Sequence, residues 1–203
     1  MAPRWRALAV LSLAEVLILV LWFSASAVLP ALSQEWRLGD GGRAGLTIAV
    51  QLGFLVGTLL SALGNLPDLW SPRVLMSAST LVGAAANGAL ALWVDSVGPA
   101  LVLRAVTGVS MAGAYPPAMK LMATWFRDGR GLAIGILIGA LTVGSATPHL
   151  IRGVTDLPWR HTLLAASALG RQVDRDARSA RVGDQGAQIV DGQHAHGGDP
   201  PEA

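Results

Sequence analysis

The sequence predicts an all-α membrane protein: five helices that each cross a bilayer, followed by a sixth that stops part-way. Three observations carry this. Hydrophobic residues make up 52% of the 203-residue chain and charged ones only 14%, with a mean hydropathy of +0.50, too apolar for an ordinary soluble domain. The apolar residues gather in runs of roughly 20 or more, the length a helix needs to cross a hydrocarbon core of about 30 Å. No segment alternates with period two in the way a membrane β-barrel strand does.

The runs fall at about residues 7–32, 44–63, 74–94, 99–126 and 131–151, with a partial sixth at 159–170. The first, preceded by Arg4 and Arg6 and containing Ala25-Ser26-Ala27, imitates a secretory signal with its cleavage site. It is too long for a signal core, carries Glu15 and is followed by four more runs, so it reads as a span. The second carries Gln51 and glycines at 53 and 57. The third starts beyond Pro67 and Pro72, which break helices. The fourth contains Arg104 and the pair Pro116-Pro117, which predicts a kink. The fifth holds Gly131, Gly135 and Gly139. The sixth covers only about 18 Å before Arg171, short of a bilayer.

Residues 171–203 contain no Leu, Met or aromatic residue and are rich in Arg, Asp, Gly and Gln. Such a segment cannot bury enough apolar surface to fold, and a disordered polar tail is expected. The change at Arg171 reads as loss of the native frame by frameshift, sequencing error or truncation. The alternative is a genuine short protein whose last helix rests in the membrane interface.

Composition excludes several functions. There is no cysteine, so disulfides, iron–sulfur clusters and thiolate zinc sites are ruled out. Net charge is +2 without a basic stripe, which disfavours nucleic-acid binding. No phosphate-cradling loop is present, and His161, His194 and His196 lack metal-ligand spacing. Ser145 and His149 sit at i, i+4 and imitate a protease dyad. Such a dyad draws its base from another helix, and no glycine-flanked serine turn is present. The chain is read as no enzyme, with no cofactor and no metal.

Cations set the orientation. Arg4, Arg6, Arg73, Lys120, Arg127 and Arg130 flank one set of ends. Arg37 and Arg43 on the other side are offset by Glu35 and Asp40, and Asp95 follows. The positive-inside rule predicts a multi-pass protein of the cell (inner) membrane with a cytoplasmic N-terminus. Arg152 and Arg160 weaken that bias without reversing it.

The loop "GNLPDLWSPRVL", Gly64 to Leu75, resembles the signature loop of the major facilitator superfamily, with Gly64, Asp68 and Arg73 in matching places. Leu69 replaces the usual basic residue after the acid. "LRAVTGVSMAGAYPPAMKLMATWFRDGRGLAIG" resembles the family's fourth and fifth helices, including an Arg-x-x-x-Gly element at Arg104 and Gly108. "LWFSASAVLPAL" and "LTIAVQLGFLVGTLLSAL" resemble first and second helices of bacterial members. The likeness covers residues 7–170. It implies the N-terminal six-helix half-bundle of a secondary carrier of a small solute, with a missing C-terminal half as partner and no transport by this chain alone. A non-transporting membrane scaffold or partner subunit is the alternative.

The resemblance also implies roles. The loop acid holds the two halves together in one state, and the fourth helix lines the cavity. Arg104, Gly108, Met111 and Tyr115 recur at i, i+4, i+7 and i+11, on one helical face. A charge in lipid costs at least about 2.5–3.5 kcal/mol, so it faces a cavity or partner. Arg104, Tyr115, Glu15 and Gln51 are therefore the transport-cavity candidates. Arg104 also reads as an interfacial arginine reaching outward, Glu15 as a neutral, hydrogen-bonded acid, and Asp68 as the cap of the next helix. Gly53, Gly57 and Ser61, like Gly131, Gly135 and Gly139, mark faces where helices approach closely. Those faces meet either neighbours in the same half or the opposite half.

Overall fold

The computed structural model describes residues 3–126, 129–154 and 158–171. The Arg127 loop, the tail beyond Arg171, and His194 and His196 lie outside the described residues. Among the described residues the structure is helical, without strands. In chain order the helices are α1 (Pro3–Glu35), α2 (Asp40–Leu63), the short α3 (Leu66–Leu69), α4 (Pro72–Trp93), α5 (Val97–Ala112), α6 (Tyr115–Trp125), α7 (Arg130–Val154) and α8 (159–171). Among the described residues, five segments are long and apolar enough to cross a membrane: α1, α2, α4, α5 continued into α6, and α7.

The helix boundaries have local causes. Ser71 caps α4, its hydroxyl accepting from Val74 N–H at 3.4 Å, with Pro72 in the first helical position. That cap is the one suggested for Asp68, which is engaged elsewhere. Asn65 takes a left-handed conformation (φ 50°) between α2 and α3, tolerated because asparagine enters that region more readily than most residues. The break between α5 and α6 falls at Gly113-Ala114. Pro116 and Pro117 there occupy the start of α6, where a missing N–H costs nothing. At 1.5 Å per residue α1 is about 50 Å long, so it tilts or projects beyond a 30 Å core.

Helix α5 packs against α2 on one side and α4 on the other, while α1 runs along α7. The α2–α5 crossing is the tightest. A Cβ on Gly53 would lie 2.1 Å from the Ala105 carbonyl oxygen, and one on Gly108 would lie 2.0 Å from that of Val50. A Cβ on Gly57 would lie 2.8 Å from Val109 Cα. These glycines let two backbones touch, which in lipid supplies the packing that hydrophobic burial cannot. Gly131, Gly135 and Gly139 do the opposite: among the described residues, nothing beyond their own helix lies within 4 Å of where their Cβ would be. Helix α7 turns Ala133, Leu137 and Gly144 inward instead, and Gly144 would place a Cβ 2.6 Å from the Val16 carbonyl oxygen of α1. The stripe lies two residues out of phase with that face, hence on the far side of the helix.

Apolar side chains form one cluster at each end. Leu8, Leu11, Met122, Phe126 and Leu137 gather at the end where the N-terminus lies. Val28, Leu32, Leu90, Trp159 and Leu163 gather at the other. Helix α8 is held by polar contacts as well. The Asn87 amide of α4 donates to Ser24 Oγ at 3.1 Å, the Leu163 carbonyl at 3.2 Å and Ser167 Oγ at 3.3 Å. At the N-terminal end of α8, Arg160 pairs with Asp95 and Glu35 and donates to the Ala91 carbonyl, while Trp159 Nε1 donates to Glu35.

Candidate functional site

A cavity of about 360 Å³ opens where α1, α2, α5, α6 and α7 meet, in the size range of small-molecule sites. Helix α1 contributes Leu19, Trp22 and Phe23, α2 contributes Phe54, α5 Met111, and α7 Leu141, Thr142 and Ser145. Tyr115 lines it from the first position of α6, where the break at Gly113-Ala114 redirects the chain. The Trp22 ring lies 5.2 Å from Phe54 and 6.0 Å from Phe23, centroid to centroid. Such aromatic pairs fix one another beyond the area they bury. The two pocket hydroxyls of α7 spend their hydrogens within that helix. Thr142 donates to the Ile138 carbonyl at 3.2 Å and Ser145 to that of Thr142 at 2.9 Å. What they present to the cavity is lone pairs. Ser145 is thus bonded to its own helix backbone rather than to His149.

The predicted site residues separate into groups. Tyr115 lines the cavity. Arg104 does not, although it is buried, with 2% of its surface exposed. Its Nη1 donates to the Trp22 carbonyl at 3.1 Å and its Nε to the Leu46 carbonyl at 3.4 Å. The guanidinium therefore ties α5 to α1 and α2 instead of reaching outward to the interface. Beside it lies a cavity of only about 10 Å³, the size of a single water. The two sites share one residue: the Trp22 carbonyl holds Arg104 while its ring lines the larger cavity.

Glu15 is fully buried, and among the described residues neither carboxyl oxygen has a hydrogen-bond partner. The reading of a neutral, hydrogen-bonded acid thus lacks the hydrogen bond. Glu15, Leu19 and Trp22 recur at i, i+4 and i+7, so Glu15 lies one turn along the same face of α1 from the cavity lining. Gln51 is exposed on α2 and lines neither cavity. Gly108 belongs to the α2–α5 crossing.

The loop residues form a separate place. Gly64 ends α2, its N–H donating to the Leu60 carbonyl at 2.9 Å. Asp68 on α3 accepts from Lys120 Nζ on α6 in an exposed ion pair. Lys120 thus supplies the cation that Leu69 does not. The hydrogen bond from Lys120 and its charge hold the Asp68 carboxyl below its ordinary value. Arg73 falls in the first turn of α4.

Sequence reasoning missed Trp22, Phe23 and Phe54, whose meeting depends on two helices far apart in the chain. The signal was the adjacent aromatic pair within the first span. It also passed over Gly144 as a packing glycine and Asn87, the one amide in the third span.

A comparison with curated proteins returned no match. A family model described as Major Facilitator Superfamily matches residues 11–170, most of the chain. Those residues take in α2 to α7, about three quarters of α1 and all but the last residue of α8, and with them the aromatic cavity, Arg104 and the Asp68 loop. Members of that family are in general secondary transporters built into the membrane by many helices. The chain belongs to the major facilitator superfamily.

Proposed function

We propose that the half-bundle forms one wall of a solute pathway, the aromatic cavity being its substrate-facing surface and a second helical bundle the opposite wall. The observation that carries this is the cavity's continuity with an unpartnered helix face. Gly135, Gly139 and Thr142 share one side of α7 by their i+4 and i+7 spacing, so the open glycine stripe runs into the cavity lining. A glycine face is suited to close approach by another helix, and alternating access is a rocking of one bundle against another around a central site. In this reading the bundle on its own inserts but moves no solute. Arg104 acts by fixing Trp22 and the α1–α2–α5 junction, and Glu15 is the acid of the pathway. The N-terminus and the Asp68 loop face the cytoplasm of the cell (inner) membrane, because the cations cluster at that end.

The absence of cysteine makes the test direct, since every engineered thiol is the only one. Single cysteines at Tyr115 and Thr142 should react with water-soluble thiol reagents in membranes, as positions on a wetted pathway do. One at Leu13, which is 59% exposed on the far side of α1, should resist as a lipid-facing position. Protection of Tyr115→Cys and Thr142→Cys from both sides of the membrane would overturn the pathway. For orientation, Ser71→Cys should resist an impermeant reagent in intact cells, and Asp95→Cys should label.

A further inference from the structure

The chemistry of the cavity wall selects a class of ligand. Four of its nine lining residues are aromatic, Trp22, Phe23, Phe54 and Tyr115, with Leu19, Met111 and Leu141 beside them, and among the described residues no cationic side chain lines it. The hydroxyls of Thr142 and Ser145 offer lone pairs, because their hydrogens are given to carbonyls of their own helix. An anion would find no charged donor here, and a sugar would leave most of its hydroxyls unmatched against the rings. A positive charge on an apolar body meets ring π-systems that attract cations and oxygens that accept. The charged groups nearby reinforce this. Arg104 is occupied by the Trp22 and Leu46 carbonyls and lies outside the lining. Glu15, buried and without a partner for either oxygen, lies about 6 Å along the α1 axis from Leu19.

We propose that the aromatic cavity binds a lipophilic organic cation, with Glu15 as the counter-charge one helical turn from its lining. This deepens the carrier reading above and rests on it. Ring contacts set the affinity for the apolar body, and the acceptor oxygens and Glu15 set the sign of charge.

The test uses the full 203-residue chain in neutral detergent and a pair of probes matched in shape, tetraphenylphosphonium and tetraphenylborate, followed by equilibrium dialysis against empty micelles. Saturable binding of the phosphonium is expected, with at least tenfold weaker binding of the borate. Phe54→Ala should weaken phosphonium binding about tenfold, and Thr142→Val, at an exposed position that leaves the packing intact, several-fold. Leu13→Ala should change nothing. Glu15→Gln should also lose about tenfold, and unchanged binding there removes Glu15 from the site. No saturable phosphonium binding overturns the proposal. Saturable borate binding lost in Phe54→Ala would show a solute site of the opposite charge preference, leaving the carrier reading intact. If Tyr115→Cys and Thr142→Cys are protected as well, the carrier reading itself fails.

Discussion

Helices α2 and α7 carry the same pattern, a glycine every four residues, and the fold uses the two in opposite ways. On α2, Gly53 and Gly57 are pressed against the backbone of α5, which answers with Gly108. On α7, Gly131, Gly135 and Gly139 meet no other helix among the described residues within 4 Å, and a glycine outside the stripe, Gly144, makes the contact with α1. A small-residue period therefore identifies a surface that permits close approach, and says nothing of whether the approaching helix belongs to the same bundle. What decides it is phase: α7 is oriented by Ala133 and Leu137, which put the stripe on the side away from α1.

The strongest way to break this comparison is Gly108→Leu. The new side chain meets backbone of Val50 and Phe54, which cannot move aside as a side chain can. Overpacking of this kind costs more than the usual 1–3 kcal/mol, and the expected result is loss of the folded bundle, read as lost resistance to denaturing detergent. Gly144→Ala comes next. Its Cβ would meet the Val16 carbonyl and the Leu19 Cβ, so destabilisation of about 1–3 kcal/mol is expected. Because Leu19 lines the aromatic cavity, the intrinsic fluorescence near Trp22 should shift as well.

Gly135→Ala and Gly139→Ala should behave in the reverse sense. In the chain by itself they leave thermal stability unchanged or raise it by roughly 0.5–1 kcal/mol, the helix-propensity gain of alanine. A loss matching that of Gly144→Ala would show that the stripe is packed within this bundle. The smallest effect is expected of Asp68→Asn at the loop. The Lys120 contact lowers the Asp68 carboxyl, so its contribution is complete above the ordinary value of 3.8 and fades as pH falls below it. The pair is exposed, and salt should screen it. Melting curves of the variant and the parent should differ slightly at neutral pH in low salt and coincide in strong acid.

The sequence made the spans legible because each is a continuous apolar run whose length a bilayer dictates. It made the Asp68 loop legible because glycine, acid and base stand a few positions apart. The cavity was less accessible to sequence reasoning. Tyr115 could be placed from the face it shares with Arg104, but Trp22, Phe54 and Thr142 meet only through the packing of α1, α2 and α7, and no local spacing encodes that. Arg104 shows the same limit. Its depth in an apolar run marked it as engaged, while its partners, two main-chain carbonyls, carry no side-chain signal at all.

The polar contacts that seat α8 also impose an order in time. Ser24, Glu35, Asn87 and Asp95 are all synthesised before residues 159–171, and 65 positions separate Asp95 from Arg160. At synthesis rates of about 5–20 residues per second, the 76 positions from Asn87 to Leu163 take roughly 4–15 s, and α4 waits that long for the helix that satisfies it. During that interval the Asn87 amide lies in the membrane without the Leu163 and Ser167 oxygens that later receive it. A nascent chain paused in that window therefore holds the Asn87 amide by Ser24 alone, with only part of its donor capacity met until α8 arrives.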